Sequence, residues 1–255
     1  MPIAFAAAFA GVLGATIGSF LNVVAYRLPR HESLVSPGSH CPGCGTAIKP
    51  YDNLPVLGWL LLRGRCRTCH TAISPRYPAV EALTGALAVA VILVEHSTVD
   101  KVLGLVLVGI LVPIALIDLD HQIIPNKITA PAAILAVAIG LALKPSGVPE
   151  QLIAGAGAAA FLLVFVFAYP RGMGMGDVKL AGVLGLFLGR EVGVAILVAV
   201  VAGTLVGAAV MARLGVQRGR KTKVPFGPFL ALGGVVALLA GPPIVHWYLH
   251  LQGIA

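Results

Sequence analysis

Charged side chains are scarce in this chain. They make up 11% of its 255 residues, where soluble domains carry about 25%, and that shortage excludes an ordinary water-soluble globule. Acidic residues are the scarcer sign, 10 against 18 Lys and Arg, for a formal net charge of +8. Aromatics are few at 6%. The 31 glycines follow no three-residue period, which excludes a collagen-like helix. The low hydrophobicity that marks disorder is missing as well. Cysteine is limited to four residues in two close pairs. What abounds is apolar, 58% of the chain, so most of its surface must face lipid or other membrane spans. The expected fold is an all-α polytopic membrane protein.

Met1 to Tyr26 holds no charged side chain and exceeds the ~20 residues that a membrane helix needs. Its positive charges, Arg27 and Arg30, follow the apolar run instead of preceding it as in a cleaved signal peptide. The segment therefore reads as a retained anchor with its N-terminus outside. Further apolar runs at 79–95, 102–118, 128–143, 151–169, 178–189, 192–212 and 225–248 bring the expectation to about eight spans. In that order, only Lys101, Lys144 and Arg190 of the 18 cations lie outside. The others fall in segments 27–78, 119–127, 170–177 and 213–224 or their flanks, an asymmetry that places those segments in the cytoplasm. The run from Leu180 to Gly189 is only ten residues, about 15 Å of helix or half the hydrocarbon thickness. It is read as a short crossing that starts before Lys179, since a re-entrant piece would put the cation-rich loop 213–223 outside. Three regions result: a first span at 1–26, a cytoplasmic loop at 27–78 and a membrane core at 79–255. No inverted repeat of the transporter kind is evident.

The loop reads Cys41-Pro-Gly-Cys44, then 21 residues, then Cys66-Arg-Thr-Cys69. Two such knuckles at this separation match a tetrahedral four-thiolate zinc site of ribbon type. Disulfides are the competing reading, and reducing cytosol disfavours them. Four thiolates close the coordination shell, so the metal would be structural, supplying folding energy to a loop with few large apolar residues. His70 beside the second knuckle reads as solvated. The prolines Pro42, Pro50, Pro55, Pro75 and Pro78 suggest turns and short strands. Trp59 and Tyr51 are too few for a nucleic-acid stacking surface, and no nucleic-acid partner is expected.

Ionisable residues at membrane depth are costly and therefore informative. Asp118 ends the third span, and Asp177 follows Gly172-Met-Gly-Met-Gly176 at the start of the sixth. Two spans intervene, so both lie at the cytoplasmic face and the two can meet. Held close together, two carboxyl groups share one proton, one serving as base on water and the other as acid toward a carbonyl, as in aspartic proteases. Either one alone reads equally as a helix-end carboxylate or a proton or cation site, and a proton-coupled transporter using Asp118 and Asp177 is the alternative. Asp120 lies about 200° around the helix from Asp118 and reads as solvated, as does His121.

Taken together, these segments resemble the bacterial type IV prepilin leader peptidases, membrane aspartic proteases of the G-x-G-D class. Gly18-Ser-Phe-Leu-Asn22-Val-Val-Ala-Tyr26-Arg27-Leu-Pro29 is similar to the family's opening motif. The Cys tetrad, with Tyr51-Asp-Asn-Leu-Pro-Val-Leu-Gly-Trp-Leu60 and Arg76-Tyr-Pro-Ala-Val-Glu81, is similar to its cytoplasmic loop. The resemblance implies Asp118 and Asp177 as the catalytic pair. It implies prepilins and type II secretion pseudopilins as substrates, cut after a short basic leader at the cytoplasmic face of the inner membrane. It further implies N-methylation of the new N-terminus with S-adenosylmethionine, for which no binding residue is assigned. Asn126 stands where many members have Asp.

Overall fold

The computed structural model describes residues 2–168, 173–215, 217, 222 and 224–251. Gly172 of the glycine-rich motif and the cations Arg171, Arg218, Arg220, Lys221 and Lys223 lie outside the described residues. The chain divides into two compact units, Met1–His96 and Ser97–Ala255.

In the first unit, α1 (Ile3–Arg27) packs along α3 (Arg76–Val94). Small residues let the two backbones approach, as expected between membrane helices, where close packing rather than hydrophobicity drives association. A Cβ at Gly14 would stand 2.8 Å from the Ala88 Cβ, and one at Gly18 would stand 3.0 Å from the Glu81 Cα. Between the helices lies a loop with single 3-10 turns at Leu28–Arg30 and Pro50–Asn53 and one short helix, α2 (Leu57–Leu61). Buried Arg27 closes the loop's entry by donating to the carbonyls of Ser33 at 2.9 Å and Pro37 at 2.8 Å. The short strands expected here are replaced, among the described residues, by the isolated bridges His40–Ala47 and Arg65–Ala72. Each knuckle closes on itself within a few residues, which leaves no run long enough for a ladder.

The second unit is a helical bundle of α4 (Thr98–His121), α5 (Asn126–Leu143), α6 (Val148–Ala168), α7 (Met175–Leu188), α8 (Val192–Leu214) and α9 (Gly227–Leu251). Helix α4 begins where the Ser97 side chain accepts the Asp100 N–H at 3.1 Å, a standard N-cap, so it outruns its apolar stretch by several residues. Its buried stripe of Leu107, Leu111, Ile114 and Ile117 faces the bundle. Pro113 sits inside it, which membrane helices tolerate when neighbours cover the freed backbone groups.

Among the described residues, seven helical runs are long and apolar enough to span a membrane, against the eight expected. The difference lies in Met175–Leu214, which counts as one run although a 3-10 turn at Gly189–Glu191 divides it into α7 and α8. Helix α7 starts at Met175, ahead of Lys179 as the sequence suggested, and has 14 residues, about 21 Å at 1.5 Å per residue. That falls short of the ~30 Å hydrocarbon core. Its setting explains the shortfall. Leu180, Ala181 and Leu184 are wholly buried, and α5, α6 and α9 pack around the helix. Enclosed by protein, it is released from the length that lipid contact would impose.

Candidate active site and metal centre

Asp118 occupies the last turn of α4 and is 5% exposed. Its Oδ2 accepts the backbone N–H of Gly227 at 2.8 Å. Gly227 opens α9, and a Cβ there would stand 2.6 Å from the same oxygen, so only glycine lets the backbone come this close. Asp177 is the third residue of α7 and 8% exposed. Its Oδ2 reaches back to accept the Gly174 N–H at 3.1 Å, the half of a capping box open to a helix whose N-cap has no side chain. Helix α4, which carries Asp118, packs against α7, which carries Asp177.

The chain segments flanking the two aspartates also touch. Lys179 Nζ donates to Asn126 Oδ1 at 2.9 Å, and the Cα of Gly176 faces Ile124 so closely that a Cβ would lie 3.0 Å from the Ile124 Cβ. Asn126 thus accepts the Lys179 ammonium with a neutral carbonyl oxygen. Asp120 and His121 are exposed, in keeping with their solvated reading. Gly227 was missed by sequence reasoning. Its only signal was Pro225-Phe-Gly-Pro228, a turn pattern at the start of the last apolar run, on the same side by parity as the aspartates.

In the first unit, the four Sγ atoms of Cys41, Cys44, Cys66 and Cys69 all lie within 4.8 Å of one another. Cys41 and Cys69 are 3.6 Å apart and Cys44 and Cys66 4.0 Å. A tetrahedral ion at ~2.3 Å from each sulfur needs separations near 3.8 Å, whereas a disulfide needs about 2.05 Å, and all four are free thiols. The donor set therefore fits zinc.

The two knuckles are built alike, and an internal repeat underlies them: Cys41-Pro-Gly-Cys44-Gly-Thr-Ala-Ile48 matches Cys66-Arg-Thr-Cys69-His-Thr-Ala-Ile73. In each, the first Cys N–H donates to the Thr carbonyl at 2.9 Å, from Cys41 to Thr46 and from Cys66 to Thr71. The Thr46 and Thr71 hydroxyls lie 3.3 and 3.2 Å from the Cys44 and Cys69 sulfurs. The residue after each second cysteine turns left-handed, Gly45 at φ 70° and His70 at φ 56°. His70 is therefore a turn residue, not a ligand.

Hydrogen bonds from Thr71 bring the Cys69 thiol down to about 6, and backbone N–H groups of Cys69 and Thr68 lower that of Cys66. At Cys41 the Gly43 and Cys44 N–H groups pull the same way, yet burial and the crowding thiols of Cys66 and Cys69 push it up to about 11. Four sulfurs this close cannot all ionise without a cation among them. Outside the tetrad, Arg67 donates through Nε to Asp52 at 2.9 Å and holds that carboxyl below the usual range.

Comparison with known proteins follows the same division. Residues 12–94 match the bacterial peptidase A24 N-terminal domain, and residues 105–211 match the type IV leader peptidase family. Proteins called prepilin leader peptidase/N-methyltransferase are similar across most of the chain. That of Aeromonas hydrophila is 35% identical over 91% of this chain and 90% of its own length. That of Pseudomonas putida is 35% identical over 99% and 97%. The Myxococcus xanthus protein is 41% identical over 71% of this chain, a match that spans 56% of that relative. No solved structure matches the chain.

Proposed function

This chain belongs to the type IV leader peptidase family, and from that premise we propose that it is an aspartic endopeptidase of the inner membrane, removing the short basic leader of type IV prepilins and type II secretion pseudopilins and N-methylating the new N-terminus. Asp118 and Asp177 form the catalytic pair. One carboxylate takes a proton from water, and the water oxygen attacks the scissile carbonyl carbon. The other, protonated, donates to the carbonyl oxygen, and the returning proton leaves with the amine. Burial of both groups in the bundle serves this chemistry, because a low-dielectric site strengthens every charge interaction within it.

What supports the reading is that two aspartates 59 positions apart in sequence are both buried, each held by a backbone N–H, on helices that pack together and with their flanking segments in contact. Asp118→Asn or Asp177→Asn should lower cleavage of a model prepilin by about a hundredfold to ten-thousandfold. Wild-type processing by either variant would remove that residue from the pair. A proton-coupled transporter finds no support, since the matching families and relatives are peptidases.

The site faces the cytoplasm in this proposal, on the side where the Lys and Arg of the loops collect. Cys41, Cys44, Cys66 and Cys69 would hold zinc with no position left open, so the ion fastens the loop and takes no part in hydrolysis. S-adenosylmethionine, as methyl donor, would supply an electrophilic methyl group for the amine that cleavage releases.

A further inference from the structure

Three sequence segments that hydrolysis leaves without a task meet in the unit Met1–His96. Asn22 on α1 donates through Nδ2 to the Tyr77 carbonyl at the start of α3, at 3.2 Å. Glu81, about one turn farther along α3, accepts through Oε2 the N–H of Val56, at 2.7 Å, from the stretch leading into α2. Asn22, Glu81 and Thr84 are all more than nine-tenths buried. Glu81 is the buried carboxylate of this unit among the described residues.

A carboxylate inside a membrane helix needs compensation. The unit's buried guanidinium does not provide it in any hydrogen bond seen here, as Arg27 donates to the Ser33 and Pro37 carbonyls. Val56 meanwhile stands at φ 60°, a conformation that β-branched residues rarely adopt. The backbone is thus bent against its preference at the point where its N–H meets Glu81. A carboxylate offers about four acceptor positions, and Val56 fills one. What suits the remainder is a small cation with several N–H donors.

We propose that Glu81 receives the α-ammonium of the cleaved substrate and takes a proton from it during N-methylation. This rests on the methyl-transfer reading above. An α-amine with an ordinary pKa of about 7.7–8.0 is largely protonated in the cytoplasm and then has no lone pair to react. The ammonium passes one proton to the Glu81 carboxylate. Its freed lone pair forms a bond to the methyl carbon of S-adenosylmethionine, and the C–S bond breaks with its electrons returning to sulfur. The products are a methylated ammonium, a neutral thioether and protonated Glu81, so charge and atoms balance. Glu81 takes no part in hydrolysis, which is assigned to the aspartates of the other unit.

A bland role, pinning Val56 in place, predicts something different, and an isosteric change separates the two. In Glu81→Gln the amide oxygen still accepts the Val56 N–H, but the charge and the basicity are gone. The full-length enzyme in membranes is given a model prepilin and S-adenosylmethionine, and the mature peptide is weighed by mass spectrometry, with bound zinc as the check that the first unit is folded. The expected result is cleavage within about twofold of wild type, zinc retained, and methylated product reduced about a hundredfold or more, the usual scale for a lost general base. Wild-type methylation by Glu81→Gln overturns the inference and leaves the methyltransferase reading intact. Joint loss of methylation and zinc overturns it in favour of the structural role. An unmethylated product from the wild-type enzyme overturns both.

Discussion

At Asp118, one backbone N–H arriving from 109 residues away defines the orientation of the carboxyl group. This makes Gly227 the residue most sensitive to a small change. Gly227→Ala places a methyl 2.6 Å from Asp118 Oδ2, so either α9 retreats and the hydrogen bond is lost or the carboxyl rotates away. Cleavage should fall about a hundredfold, because misplacing a reacting group by about 1 Å has that effect. Asp120→Asn, at an exposed site two residues from Asp118, should keep most of the activity in the same assay. A fully active Gly227→Ala enzyme would show that this contact does not position the aspartate. The sequence exposed both aspartates, since charge in an apolar run stands out. It hid Gly227 and Val56, whose contributions run through backbone N–H groups that every residue type but proline carries.

The elements divide into those written in the local pattern and those set by their neighbours. The apolar runs announced the long helices, and the cysteine spacing announced the cluster of four sulfurs. The length of α7 was not legible as a crossing or a re-entrant piece, because burial among α5, α6 and α9, rather than hydropathy, decides how long that helix must be. The knuckle repeat shows how an element sets its own rules. Gly45 and His70 occupy equivalent left-handed positions, and a Cβ at Gly45 would meet nothing within 4 Å. Backbone strain alone should therefore govern substitution there. Gly45→Val should destabilise the zinc-bound loop by about 1–2 kcal/mol, while Gly45→His, copying the second knuckle, should do less harm. Thermal release of zinc, followed with a chromophoric chelator, reads out both. Cys41→Ser should release the ion at ambient temperature, and retention of a full equivalent of zinc would count against the four-thiolate centre.

On the scale of the whole molecule, the proposed orientation rests on where cations are missing. Lys101, Lys144 and Arg190 are the ones assigned outside, and Arg190 is partly neutralised there, 3.4 Å from Glu191 and 3.9 Å from Glu150. Such exposed pairs add little stability, but they reduce the positive charge that would oppose translocation of that loop. Two exposed positions test the arrangement, Ser146 between α5 and α6 and Val35 in the loop between α1 and α3. A membrane-impermeant maleimide should label Ser146→Cys in intact spheroplasts and Val35→Cys only after lysis. The native cysteines, held in the same loop as Val35, should stay unlabelled until lysis and so set the background. The reverse pattern would turn the aspartates to the outer face. A leader held in the cytoplasm could not reach them there, and the proposed substrate would have to be given up even with the catalytic pair intact.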